Sequence, residues 1–281
     1  MNIKRVKPST NLRIKPNNKK RQNVTRKSPP KYKYALSTKT KEKIQEIEKR
    51  KRKNKLVKIN RSNFDCRTYI SLQRWGGVLK DEPAFILGNG PSITGQPLRL
   101  LDSYFTIGVN RIFFIYEPVV LFWQDRELWR SNQHNILTSK SIRVCRDHGD
   151  PRKMFLNFKL GYDPLRFNDT PQKLYGRGNS GALAVQFAVA LGCSSIVILG
   201  MDGKYGKDDK TDFYGKNPDH KPYTLKMFKK SMKWLRDKCP VPIYNCGDSI
   251  MWSKEKLEDV IEKIKPKKRD KKYYYKLFEK K

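Results

Sequence analysis

No stretch of this 281-residue chain approaches the roughly 18 to 20 consecutive apolar residues that a membrane-spanning helix requires. Its charged amino terminus is not followed by the apolar core of a signal peptide, so the expected location is the cytoplasm. Cysteines are few and unpaired in pattern: Cys66, Cys145, Cys193, Cys239 and Cys246 are odd in number and form no CxxC motif. That excludes a disulfide framework and a cysteine-rich zinc site, and fits a reducing compartment. Only three histidines, His134, His148 and His220, are present as candidates for an imidazole base. The GxGxxG and Walker patterns are missing too, so dinucleotide or ATP binding of those kinds is not indicated.

Acidic residues are also scarce, 27 against 62 Lys and Arg, for a net charge of +35, and the imbalance is uneven. Residues 1–62 carry 23 basic and 3 acidic side chains, and residues 263–281 carry 10 and 2. The intervening stretch holds 29 and 22, an ordinary ratio for a globular domain. Three regions follow: a basic arm at 1–62, a folded domain at 63–264, and a basic tail at 265–281. The first 35 or so residues have too few apolar side chains to offset the entropy of ordering them, and are expected to be disordered. A solvated helix over 37–55 is compatible with the absence of Pro and Gly there and with Ile44 and Ile47 at helical spacing. Such arms favour polyanions, with nucleic acid preferred to a membrane surface, through salt-sensitive phosphate contacts. Tyr32, Tyr34 and the run Tyr273 to Tyr275 interleave aromatics with lysines, which suits base stacking or packing back onto the domain.

Within the domain, short apolar runs alternate with helical periodicity. Ala84–Leu87, Tyr104–Val109, Val119–Trp123, Ser141–Cys145, Ser195–Leu199 and Val241–Tyr244 read as strands. Ser180–Leu191 is apolar on nearly all sides, as a helix buried against a sheet would be, and stops at Gly192. Leu225, Phe228, Met232 and Leu235 mark an amphipathic helix, and Leu257, Ile261 and Ile264 a last one. Alternation of this kind predicts an α/β fold with a doubly wound, mostly parallel, Rossmann-like sheet.

Ligands of such sheets bind beyond the carboxyl ends of the strands, so the residues following each strand are the candidates. Gly88-Asn89-Gly90-Pro91-Ser92 follows the first, with glycines that permit close backbone approach to a phosphate or ribose and a serine able to cap the next helix. Asn110 and Arg111 follow the second strand, and Gln124 and Asp125 the third; amides there suit phosphate oxygens or sugar hydroxyls, or serve the turn itself. Arg177, Asn179, Ser180 and Gly181 open the buried helix, whose amino terminus is either an anion site or a simple cap. Asp202 ends the most apolar strand, placed to orient a ligand or to cap a turn. Lys204–Lys221 is long enough to fold over the site as a lid, and contains His220.

The segments FILGNGPSI, VNRIFF, NSGALAVQFAVALGCSSIVILGMD and FYGKNPDHKPYTLKMF resemble, in that order, blocks of the bacterial sialyltransferases that use a CMP-sugar donor. They are similar as well to uncharacterised bacterial and phage proteins grouped with the archaeal 6-hydroxymethylpterin pyrophosphokinase-like (MptE-like) domain. The resemblance spans about Ala84 to Cys246. It implies that Asn89, Gly90 and Asn110 contact the donor's phosphate and ribose, that Ser180 and Gly181 contact its base, and that His220 is the general base. Tyr205 and Tyr214 stand near the lid tyrosines that stabilise the leaving phosphate in those enzymes, though out of register with them.

Three functions follow as expectations. One is a transferase moving a sugar or similar group from a nucleotide-activated donor to a hydroxyl, with no metal or other cofactor required. Another is a pyrophosphokinase using ATP with Mg²⁺, gathered by Asp202, Asp208, Asp209 and Asp212. The third is a phage-type nucleic-acid-binding protein whose transferase-like domain is inactive.

Overall fold

The computed structural model describes residues 71–147, 155–161, 167, 170–176, 179–217 and 222–279. The basic arm at 1–62 and its helix at 37–55 lie outside the described residues. Eight strands form one sheet: β1 (Pro83–Leu87), β2 (Thr106–Val109), β3 (Val120–Trp123), β4 (Ile142–Arg146), β5 (Leu156–Gly161), β6 (Lys173–Tyr175), β7 (Ser195–Leu199) and β8 (Ile243–Asn245). Every pairing is parallel, in the order β6-β5-β4-β3-β2-β1-β7-β8. Among the described residues no helix is long and apolar enough to cross a membrane.

Strand sequences explain why both faces are covered. In β1, β3 and β7 every residue is buried, so the sheet has no solvent face at its centre. Because successive side chains point to opposite faces, Ala84, Ile86, Val120, Phe122, Ile196 and Ile198 enter one core. Phe85, Leu87, Leu121, Trp123, Val197 and Leu199 enter the other. The first core is closed by α2 (Ser180–Ala190) and α3 (Pro222–Lys238). The second is closed by α1 (Arg126–Thr138) and α4 (Leu257–Ile264), through Leu128, Ile136, Leu257 and Val260.

The segment after Lys265, expected as a basic tail outside the domain, is in fact part of the first core. Lys271–Phe278 forms a fifth helix, α5, started by the Asp270 carboxylate accepting from the Tyr273 N–H at 2.8 Å. Tyr274 and Phe278, four residues apart on one helix face, are buried. Phe278 packs on Trp75 with ring centroids 4.2 Å apart, and Tyr274 on Phe105 at 5.4 Å. Lys272 and Lys276 remain exposed while Lys271 reaches the domain, its Nζ donating to the Glu117 carbonyl at 2.6 Å, so the apolar stripe is hidden within a lysine-rich composition. Replacing Phe278 with Ala removes a fully buried ring that the neighbouring rings cannot refill; a loss of about 3–5 kcal/mol in urea unfolding of the full chain is expected.

The chain runs outward from β1 through β6 and then returns to the opposite side of β1 as β7. This reversal opens a crevice at the carboxyl ends of β1 and β7, the position where doubly wound sheets hold ligands.

Candidate functional site

At the reversal the two strand ends touch. The Gly90 N–H donates to the Gly200 carbonyl at 2.7 Å, and the Gly88 N–H to Leu199 at 2.8 Å. A Cβ at Gly88 would lie 2.3 Å from the Gly200 oxygen, and one at Gly90 would lie 2.6 Å from the Asp202 carboxylate. These glycines therefore let two strands meet, and the amides expected to approach a phosphate are engaged within the protein. Ser92 does not cap with its own hydroxyl. Its O–H and N–H both donate to Asp202, at 2.5 and 3.0 Å, and its oxygen accepts from the Asp248 N–H at 3.2 Å. Asp202 thus closes the short 3-10 turn Pro91–Gly95 from across the crevice.

Asn89 is a second cross-link. Its amide donates to the Val109 carbonyl at 2.8 Å and accepts from the Arg111 N–H at 3.1 Å, holding the end of β2. Its own carbonyl accepts from the Phe213 N–H at 2.7 Å, which ties down the segment expected to act as a lid. In that segment the Thr211 hydroxyl accepts from the Asn217 N–H at 2.7 Å, and the Asp212 N–H donates to Gly215. The result is a closed loop that sets Tyr214 against Arg111, with the guanidinium donating to the phenol at 3.1 Å and its carbon 5.2 Å from the ring centroid. Burial, and next the charge of Asp212, push the Tyr214 phenol well above its usual range, against the opposing influence of Arg111. Tyr214 is consequently held in its neutral phenol form.

These elements enclose a cavity of about 450 Å³, within the roughly 300–1,000 Å³ usual for small-molecule sites. Asn89, Gly90, Asn110, Gln124, Asp202 and Tyr214 line it together with the start of α2 at Asn179, Ser180 and Gly181. Gly88 is there as well, with Arg111, Thr211, Asp212 and Asn217, and with Thr224, Leu225 and Phe228 of α3. Tyr205 is 38% exposed and does not line it, whereas Ser92 contributes only through Asp202. Arg177 and His220 lie outside the described residues.

Three side-chain atoms of residues that line the cavity are buried and have no hydrogen-bond partner among the described residues: Asn110 Oδ1, Asn179 Nδ2 and Ser180 Oγ. Leaving such an atom unsatisfied costs about 1–3 kcal/mol, so three in one cavity require an explanation. Asn179 caps α2, its Oδ1 accepting from the Gly181 and Ala182 N–H groups at 2.8 and 3.3 Å, and this fixes the amide with its N–H₂ left over. The anion-binding amides expected at this helix end are therefore partly taken by the cap, while the positive end of the helix dipole still faces the cavity. Asn110 sits at φ 52°, a left-handed conformation tolerated by Asn and Gly and strained for other residues.

Some of this could not be read in the sequence. Asn217 joins the site through the loop closure, and the only signal for it was the polar cluster Thr211–Asn217 between a strand and a helix; Arg111 and Asp212 were expected at strand ends and in the lid, but not their meeting with Tyr214. Of the acidic residues expected to gather Mg²⁺, Asp202 is held by Ser92 and the side chain of Asp209 is 76% exposed beside Lys216. Among the described residues no group of three Asp, Glu, His or Cys side chains could hold a metal ion.

Fold and cavity together define an α/β protein with a cavity of small-molecule size at the switch point of a parallel sheet. No family model matches the chain, and no curated protein matches it. Among solved structures it is similar to the monofunctional alpha-2,3-sialyltransferase Cst-I of Campylobacter jejuni, at 19% identity over 61% of this chain and 78% of that one, with a TM-score of 0.41. It is similar also to the sialyltransferase CstII of the same organism in complex with cytidine-5'-monophosphate, at 15% identity over 61% and 83%, TM-score 0.38. A complex of CstII with CMP-3FNeuAc aligns at 15% identity over 58% and 79%, TM-score 0.34.

The strained backbone at Asn110 separates two substitutions. Asn110→Gly keeps the left-handed turn and is expected to leave the melting temperature within a degree or two of the parent, whereas Asn110→Ala loses about 1–2 kcal/mol in chemical denaturation.

Proposed function

We propose that the chain is a transferase that moves a sugar or similar group from a nucleotide-activated donor to an acceptor hydroxyl. The observation that carries this reading is the convergence of Asn110 Oδ1, Asn179 Nδ2 and Ser180 Oγ, buried and unpartnered, on one cavity at the strand reversal. An acceptor, a donor and a hydroxyl form a neutral hydrogen-bonding set suited to a nucleobase edge and ribose hydroxyls. Beside it, Arg111 and the amino terminus of α2 favour a phosphate. Tyr214 lines the same cavity and, bonded to Arg111, holds that guanidinium in place for the phosphate.

In the proposed step His220 accepts the proton of the acceptor hydroxyl, the oxygen bonds to the donor carbon, and the bond from that carbon to the phosphate oxygen breaks. The nucleotide leaves with the negative charge. His220 is assigned by the resemblance of its segment, and in sequence it stands between Asn217 and Tyr223, both of which line the cavity. Asn89 and Gly90, which the resemblance gives to the donor, act in this reading through the backbone: Asn89 holds Val109 and Arg111 on either side of Asn110, and Gly90 joins the end of β7 at Gly200.

The test is the melting temperature of the full chain with CMP, UDP, GDP, ADP and ATP, each with and without Mg²⁺. A metal-independent rise with CMP or one diphosphate is expected, since a ligand bound only by the native state stabilises it. Ser180→Ala and Asn110→Gly should each lower the affinity for that nucleotide about 5- to 100-fold, the loss of one buried hydrogen bond to a polar ligand. No rise with any nucleotide, or equal rises in the parent and both variants, refutes the site.

Catalysis has a separate check. His220→Ala should lower the turnover of the donor identified in this way about 10²- to 10⁴-fold while its melting shift stays intact.

A further inference from the structure

Helix α3 turns Met232 and Leu235 into the core and Tyr223, Thr224, Leu225 and Phe228 toward the cavity. Its remaining face exposes Lys226, Lys229, Lys230, Lys233, Arg236 and Lys238. The first turn holds no acidic residue, and Asp237 is the one acid of the helix, already paired with Lys233 at 2.6 Å and Arg236 at 3.2 Å. Among the described residues no ion pair is formed by Lys226, Lys229 or Lys230.

This arrangement works against the helix. Lys226 faces both Lys229 and Lys230 at spacings of three and four, and Lys233 repeats the relation one turn on; such like-charged pairs each cost about 0.2–0.5 kcal/mol. A face whose like charges oppose its own helix in this way is accounted for by a negatively charged partner laid along it. At the head of the stripe, Tyr223 is 68% exposed while also lining the cavity.

We propose that this face of α3 binds single-stranded nucleic acid, with phosphates on Lys226, Lys229 and Lys230 and a base stacked on Tyr223. A row of cations ending in an exposed aromatic ring is the combination by which single strands are held without sequence preference. The nucleotide on Tyr223 is then the one presented at the mouth of the cavity. The surface is distinct from the basic arm at 1–62, and its use does not depend on the transfer reading.

The experiment is fluorescence anisotropy of a fluorescein-labelled oligothymidylate with the full chain, titrated at several salt concentrations. Each phosphate neutralised on a single strand adds roughly 0.7 to the slope of log affinity against log salt, so the triple variant Lys226→Gln, Lys229→Gln, Lys230→Gln should lower that slope by about 2. Tyr223→Ala should weaken binding about 5- to 100-fold, the effect of removing one stacking ring. Slopes and affinities equal to the parent's in both variants would overturn the proposal and leave binding to the arm alone. It is also overturned if the triple variant binds the oligonucleotide normally but no longer binds hyaluronan or phosphatidylserine vesicles. Nucleotide melting shifts measured on the triple variant keep the two readings apart, because none of its three lysines lines the cavity.

Discussion

The carbonyl oxygen of Gly200 occupies the space that a side chain at position 88 would need, and the Asp202 carboxylate occupies the space beside position 90. This contact between the ends of β1 and β7 is the constraint on which the site depends. Only with both glycines can the strands meet closely enough for Ser92 to reach Asp202, and for Asn89 to reach across to β2 at Val109 and Arg111. Asn89 in turn anchors the loop that carries Tyr214. The cavity is thus the remainder of a packing problem solved around four residues of backbone.

A division of labour among similar residues follows. Asn89 and Asn110 both stand just beyond the end of a strand, yet one spends its amide on neighbouring backbone and the other leaves an oxygen unpartnered among the described residues. Asn179 does both, capping a helix with one side of its amide and presenting the other. In Asn179 the hydrogen bonds that cap the helix also fix where the other side of the amide points.

The central strands and α2 are legible in the sequence because burial on all sides leaves uninterrupted apolar runs, and Ser195–Leu199 agrees to the residue with β7. Strands β5 and β6 are not. Leu156–Gly161 alternates buried residues with Asn157 and Lys159, and Lys173–Tyr175 is three residues long, as edge strands often are. Helix α5 is hidden by its lysines. At the site, residue positions are visible but the state of their atoms is not, since whether the Asn89 amide is spent or free depends on backbone 20 and 22 residues away. The roles expected for Gly88 and Gly90 shift for that reason, from approaching a ligand to admitting another strand.

The cap on α2 has a thermodynamic consequence. Two hydrogen bonds from backbone N–H groups hold the Asn179 amide in one rotamer, so the conformational entropy of ordering that side chain is lost on folding. A ligand that meets its N–H₂ group finds the donor already aimed, and the contact's free energy is not diminished by freezing a rotor at the moment of binding. Specificity at such a group is correspondingly sharp, because a rigid donor cannot turn to accommodate a ligand lacking the matching acceptor.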